Sequence, residues 1–212
     1  MKKIIILGAG ESGVGSAILA KKNSYEVFVS DYGAIEMPVK KQFNELNIRF
    51  EENSHELAKS KDIDFVVKSP GISDTTDIIK FYLDKGVRII SEIEFAYNFS
   101  KSPIIGITGT NGKTTTTTLV HKLIYDANIS CSISGNIGNS FSSVCDNSVQ
   151  YSVVELSSFQ LDGIDRFKPH IAILTSISPD HLDRYTNYKA YIESKFRIIK
   201  NQSAKDYLIY NS

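Results

Sequence analysis

From Ile104 to Thr114 the chain reads Ile-Ile-Gly-Ile-Thr-Gly-Thr-Asn-Gly-Lys-Thr. A β-branched run gives way to a glycine-rich turn, and Gly112-Lys113-Thr114 opens a segment of helical period. A strand, such a turn and a helix start gather several backbone N–H groups around one point, the arrangement that cradles phosphates. In it the Lys113 ammonium reaches the outer phosphates and the Thr114 hydroxyl suits Mg²⁺. The usual pattern also has a glycine six residues before its lysine, and that position here is Ile107. What remains is Gly-x-x-Gly-Lys-Thr. A Gly-Lys-Thr can arise by chance, but the flanking strand and helix favour the phosphate reading. Five successive threonines, Thr114–Thr118, begin the helix although threonine is a poor helix former. A phosphate loop running into its helix explains them better than a plain polar tract.

An earlier glycine turn, Gly8-Ala9-Gly10-Glu11-Ser12-Gly13, follows the apolar run Ile4–Leu7, and Asp31 closes the next strand. Glycines there let the backbone approach a pyrophosphate seated on a helix N-terminus. An acidic residue roughly 20 positions on can bind ribose hydroxyls. Close packing alone also produces such turns; the preceding strand favours a nucleotide without saying which. Ser69-Pro70-Gly71-Ile72 offers a hydroxyl and amides at the crevice where open α/β sheets bind ligands, although a plain turn explains that tetrapeptide equally well.

The elements that must position these residues alternate short β-branched runs with longer helical segments, which argues for parallel βα units. Strands are expected at Ile4–Leu7, Glu26–Ser30, Asn47–Phe50, Asp64–Val67 and Arg88–Ile90. Helices are expected at Gly13–Lys22, Val39–Leu46, Ser54–Lys59 and Thr76–Asp84 between them. Glu92–Phe99 reads as a helix and Ser100-Lys101-Ser102-Pro103 as a break. A second series has strands at Ile104–Ile107, Ser130–Ile133, Tyr151–Glu155, Ile171–Thr175 and Tyr207–Tyr210. The helix after Lys113 carries Leu119, Val120, Leu123 and Ile124, expected on one apolar face. The fold class expected is α/β: a Rossmann-like parallel-sheet domain over residues 1–99, then a P-loop-type α/β domain over residues 103–212, incomplete at its end.

Composition narrows the partners. Of 212 residues, 24 are Lys or Arg and 24 Asp or Glu, so no basic field exists to hold nucleic acid or an anionic membrane. An anion must be caught by a few local donors. Cys131 and Cys145 are too few for a disulfide framework or a zinc cluster. The apolar run after Lys2-Lys3 is far shorter than the about 7–15 residues of a signal peptide core. A cytoplasmic monomer is expected.

Gly109-Thr110-Asn111-Gly112-Lys113-Thr114 resembles the variant phosphate loop of the Mur ligases and folylpolyglutamate synthetases. Glu155-Leu156-Ser157-Ser158-Phe159-Gln160-Leu161 and Ser178-Pro179-Asp180-His181-Leu182-Asp183-Arg184-Tyr185 are similar to the D-glutamate-adding branch of the Mur ligases. Other branches carry different residues after the glutamate. Ser69–Ile72 and Gly135-Asn136-Ile137-Gly138 fit as well, so the resemblance covers the whole chain. It implies a UDP-binding domain and part of a central ATPase, with a C-terminal domain for the incoming amino acid absent. By the resemblance, the carboxylate of UDP-N-acetylmuramoyl-L-alanine is activated by ATP as an acyl phosphate, and D-glutamate attacks it.

The same resemblance implies the residue roles. Thr110, Asn111, Gly112, Lys113, Thr114, Thr115 and Thr116 would hold ATP, with the amides of Thr110–Thr115 on the triphosphate. Thr114 and Glu155 would bind Mg²⁺, and His181 a second Mg²⁺, an unusual ligand for a cation that prefers oxygen. Lys195 would be carbamylated, supplying oxygen ligands where an ammonium would be repelled. With Lys113, His181 and Lys195 form the expected catalytic set. Asn136 and Ser157 would contact the muramoyl part, although each also suits a turn or helix cap; Ser12, Asp31, Ser69 and Gly71 would contact the nucleotide part. The pyrophosphate site is expected wholly within residues 4–72. A non-catalytic UDP-sugar-binding module is the alternative; a nicotinamide oxidoreductase leaves Lys113, Glu155 and His181 without a role.

Overall fold

The computed structural model describes residues 1–211, so Ser212, the last residue of the expected second domain, lies outside the described residues. In the first half the strands are β1 (Lys3–Leu7), β2 (Glu26–Ser30), β3 (Arg49–Glu51), β4 (Phe65–Lys68) and β5 (Arg88–Ser91). The helices are α1 (Glu11–Lys22), α2 (Met37–Glu45), α3 (Glu56–Lys59), α4 (Asp77–Asp84) and α5 (Glu92–Tyr97). Strand order is β3-β2-β1-β4-β5, all parallel. Ile4, Ile5, Ile6 and Leu7 are all buried, as a central strand covered on both faces requires. Ile4 and Ile6 face one apolar cluster; Ile5 and Leu7 face another with Val66, Ile79 and Tyr82.

The second half builds β6 (Ile104–Thr108), β7 (Cys131–Gly135), β8 (Tyr151–Glu155), β9 (Ile171–Leu174) and β10 (Tyr207–Tyr210) into a parallel sheet of order β10-β9-β6-β8-β7. Its helices are α6 (Lys113–Asp126), α7 (Ser158–Asp162) and α8 (Tyr188–Phe196). Two parallel sheets with interleaved helices make an α/β fold. The apolar face expected on α6 divides: Val120 and Ile124 pack against Ile105, Ile107 and Val153, whereas Leu119 and Leu123 are exposed. Positions 119 and 123 lie about 100° around the helix from 120 and 124, and the sheet covers only the narrower stripe. Among the described residues no helix is long and apolar enough to cross a membrane.

Helix α5, expected from sequence over Glu92–Phe99 and seen at Glu92–Tyr97, ties the two sheets together. Glu92 is buried, and its Oε1 accepts the Ser142 amide at 2.5 Å. Burial pushes its carboxyl up to about 7. Glu94, also buried, accepts the amides of Asp165, Arg166 and Phe167 at 2.9–3.0 Å. Removing a shared acceptor strands every donor it satisfied, at about 1–3 kcal/mol for each one that stays buried. Glu94→Ala is therefore expected to lower unfolding free energy by about 2–4 kcal/mol, read from urea melts with the slope unchanged. A loss below about 0.5 kcal/mol would show that water replaces the carboxylate.

Candidate functional site

Strand register sets the site. Ile107 lies beside Glu155 on β8, Thr108 beside Leu174 on β9, and Gly135 beside Glu155. The C-terminal ends of β6, β7, β8 and β9 thus deliver the phosphate turn, the Asn136 loop, Glu155 and the Thr175–Ser178 loop to one edge, where open α/β sheets bind ligands. Gly109 has φ +150°, and a Cβ there would lie 2.0 Å from Thr175 Oγ1. Gly112, at φ +81°, is the N-cap of α6 and supplies no side chain to cap it. No hydrogen bond within the described residues uses the amides of residues 112–115. They are the free donors of a helix N-terminus.

Of the amides expected from sequence, Thr110–Thr115, the first two are engaged within the protein. Thr110 N donates to Ser176 O (2.8 Å) and Asn111 N to Ser176 Oγ (3.0 Å), while Thr116 N is the first closed turn of the helix, on Gly112 O. The Thr175–Ser178 loop buttresses the turn by taking those donors; local sequence gave no sign of that partner. Lys113 Nζ bonds Gly109 O (3.0 Å) and Thr110 O (2.8 Å), folding back over its own turn. The Thr114 and Thr115 side chains are exposed.

Glu155 is 1% exposed. Its Oε1 accepts Asn136 Nδ2 at 2.9 Å, and its Oε2 is buried without a partner. Asn136 therefore orients this carboxylate. Lys195, on α8 and 2% exposed, makes one long hydrogen bond, to Thr108 Oγ1 at 3.4 Å. Burial first, then the charge of Lys113, pulls its ammonium down to about 8. Ser157 caps α7: its hydroxyl accepts Gln160 N, and Gln160 Oε1 accepts Ser157 N, a reciprocal box. The cap role weighed from sequence is the one seen. His181 has φ +52°, packs on Phe159 and Tyr191, and sits 3.5 Å from Asp180. Among the described residues no three His, Cys, Asp or Glu side chains are grouped to hold a metal by themselves. The orphaned Glu155 oxygen beside a turn with free amides does fit a cation that takes most of its ligands from phosphate and water, as Mg²⁺ does.

At the edge of the first sheet, Leu7 pairs with Ser30 and with Lys68, so Gly8, Asp31 and Ser69 emerge together. Ser69 Oγ is buried without a partner, and a Cβ on Gly8 would lie 2.7 Å from it. Helix α1 starts at Gly10 without a side-chain cap, with Ser12 in its first turn. Asp31, expected to reach a ribose, spends one oxygen on Ala9 N (2.6 Å) and the other on Gly33 N (2.7 Å), which fixes the glycine turn. Two cavities flank Asp31. One, about 730 Å³, is lined by Gly8, Tyr32, His55, Gly71 and residues to Ile78. The other, about 510 Å³, is lined by Gly10 and Glu11, and also by Asn139 and Ser143. Helix α1 packs on the turn around Ser142, which brings the Asn139–Ser143 loop to the wall of this second cavity.

The fold and site define a parallel α/β protein with two glycine turns, each opening a helix without a side-chain cap beside an unpartnered buried oxygen. The chain belongs to the Mur ligase family: the Mur ligase middle domain profile matches residues 107–212, and the MurD N-terminal domain profile matches residues 3–78. It is 54% identical over 214 aligned residues to the UDP-N-acetylmuramoylalanine--D-glutamate ligase of Christiangramia forsetii, covering 100% of this chain and 48% of that protein. It is 45% identical to the ligase of the same name from Bacteroides fragilis, covering 99% and 48%. The chain spans about half the length of the curated relatives it matches. Among solved structures, the UDP-N-acetylmuramate:L-alanyl-gamma-D-glutamyl-meso-diaminopimelate ligase of Neisseria meningitides shares the fold at TM-score 0.68 and 20% identity, covering 100% of this chain and 72% of that one. The UDP-N-acetylmuramate-alanine ligase of Thermotoga maritima does so at 0.61 and 23%, covering 99% and 49%.

Proposed function

We propose that this chain supplies the UDP-precursor site and the ATP site of a ligase that adds D-glutamate to UDP-N-acetylmuramoyl-L-alanine in peptidoglycan precursor synthesis. The observation that carries the reading is Glu155: a buried carboxylate with one oxygen unpartnered, at the strand end beside the phosphate turn. An isolated buried charge is costly, and a cation shared with phosphate oxygens relieves that cost. Glu155, the Thr114 hydroxyl, His181 and Lys195 as its carbamate would hold Mg²⁺, which when bound supplies charge neutralisation for phosphoryl transfer.

The remaining work falls to the chain's own groups. Lys113 moves from the Gly109 and Thr110 carbonyls to the outer phosphates, while the amides of residues 112–115 hold the phosphate chain at the positive end of α6. An oxygen of the alanyl carboxylate then displaces ADP from the terminal phosphorus. The amine of D-glutamate displaces phosphate from the acyl carbon and loses a proton. In the first sheet, Ser69 and the α1 amides hold the pyrophosphate, and Asp31 keeps the glycine turn open toward it. The proposed working form is a cytoplasmic monomer.

Thermal unfolding of the 212-residue chain with added ligand tests the reading, because ligands that bind only the folded state raise its melting temperature. ATP with Mg²⁺ and UDP-N-acetylmuramoyl-L-alanine should each do so, and NAD should not; a response to NAD alone would sink the proposal. The Ser69 hydroxyl gives a sharper check. Unpartnered and buried, it contributes nothing to the fold, so Ser69→Ala should leave the melting temperature unchanged or slightly higher. The same change should weaken the UDP ligand about tenfold by calorimetry, and unaltered affinity would remove Ser69 from the site.

A further inference from the structure

We propose that Tyr191 is a positioning residue that couples the phosphate turn to the helix carrying Lys195, so that α8 holds the turn in its phosphate-accepting shape. The inference rests on the nucleotide reading of that turn and adds to it a residue that no motif marks.

Tyr191 is 1% exposed and lies one turn before Lys195 on α8. Its hydroxyl is 3.0 Å from Thr110 Oγ1, and its ring lies 5.3 Å beneath Lys195 Nζ and 6.2 Å from the His181 ring. One side chain therefore touches the turn, the buried lysine and the loop histidine. The protons can be assigned by counting. A threonine hydroxyl has one donor and two acceptor sites. Thr110 Oγ1 accepts Ser178 N at 3.0 Å and has Ser178 O, which can only accept, at 3.1 Å. Its own proton goes to that carbonyl, so Tyr191 must donate, and the Thr110 hydroxyl is then saturated. Thr110 also donates its amide to Ser176 O and lends its carbonyl to Lys113. The Thr175–Ser176 hydroxyls and Lys113 also hold the turn at Asn111 and Gly109, but the bonds from Ser178 and from α8 meet at Thr110, and the Tyr191 hydroxyl is the strut from α8.

In the structure Lys113 rests on the Thr110 carbonyl. When that lysine leaves for a phosphate, the turn loses two hydrogen bonds at once, and the Tyr191 bond is among those that keep its amides aimed. Tyr191→Phe keeps the ring under Lys195 and removes only this donor.

Two measurements on the 212-residue chain test the coupling. In calorimetric titrations with ATP and Mg²⁺, Tyr191→Phe should raise Kd about tenfold, with UDP-N-acetylmuramoyl-L-alanine affinity within about twofold of the parent. In a Thr110→Val background the same change should add nothing, because the partner is already gone. Hydrogen exchange without nucleotide should show the Thr110 amide opening faster in Tyr191→Phe. Unchanged exchange, or effects on ATP affinity that simply add in the double variant, would overturn the coupling. Faster exchange in a chain whose parent binds no ATP would instead fault the nucleotide reading and leave the mechanical link standing.

Discussion

Replacing Lys113 by alanine, in a protein carried to the length of its relatives, is expected to lower ATP-dependent ligation at least 1,000-fold, on the order of removing a principal transition-state stabiliser. UDP-precursor binding should change less than about twofold. The separation follows from the architecture. Lys113 opens α6 at the edge of the second sheet, whereas Ser69, Gly8 and the α1 N-terminus stand at the edge of the first. Phosphoryl transfer to a carboxylate brings two anions together, so an ammonium able to follow the outer phosphate acts where charge moves. The lysine is available for this because Gly109 O and Thr110 O, which hold it in the structure, are neutral carbonyls. A carboxylate partner would have trapped it. Steady-state ligation and calorimetry with the UDP ligand measure the two halves, and ligation at parental rate would strike Lys113 from the site.

Lys195→Ala is expected to cost a comparable factor in activity, with part of it restored by formate or acetate. The lysine is buried, makes one long hydrogen bond and faces the charge of Lys113, so an ammonium here is poorly served. With its folded value about 8 against 10.5 for a free lysine, the neutral amine near pH 7 is enriched roughly 300-fold. A neutral amine is the form that adds carbon dioxide. The carbamate would replace a repelled cation by oxygen ligands near the unpartnered Glu155 oxygen, and a small carboxylate diffusing into the alanine variant would supply similar oxygens. The stability linkage has a definite sign. The native state binds fewer protons than the unfolded chain between about pH 8 and 10.5, so the unmodified lysine lets stability rise with pH across that window and makes it lowest below it. Lys195→Ala removes that dependence, which urea melts at pH 7 and pH 10 would show. Activity unchanged in the variant, or a lost activity that no carboxylate restores, would count against the carbamate role.

The sequence by itself determined the alternation of strand and helix and the two glycine turns. β-branched runs such as Ile4–Leu7 and Ile104–Thr108 are legible locally, and a turn that must reach positive φ at Gly109 and Gly112 leaves glycine in the sequence. Asn136, Glu155 and Lys195 were nominated by resemblance, and Ser157 was weighed as a cap as well as a substrate contact. Tertiary structure decided what each of them touches. Parallel register set Glu155 beside the turn and Asn136 against its carboxylate, and helix packing brought Lys195 to Thr108 across 87 residues of chain. The amides of Thr110 and Asn111 went to the Ser176 loop, Asp31 went to its own glycine turn, and Glu94 became a clamp between sheets. No local pattern could announce these, because the acceptor that satisfies a buried donor is chosen by which strand lies alongside. A lone glutamate or tyrosine reads the same in either role until its neighbours in space are fixed. Tyr191 is the clearest instance: in sequence it is one more aromatic on a helix, and only the fold places its hydroxyl on Thr110.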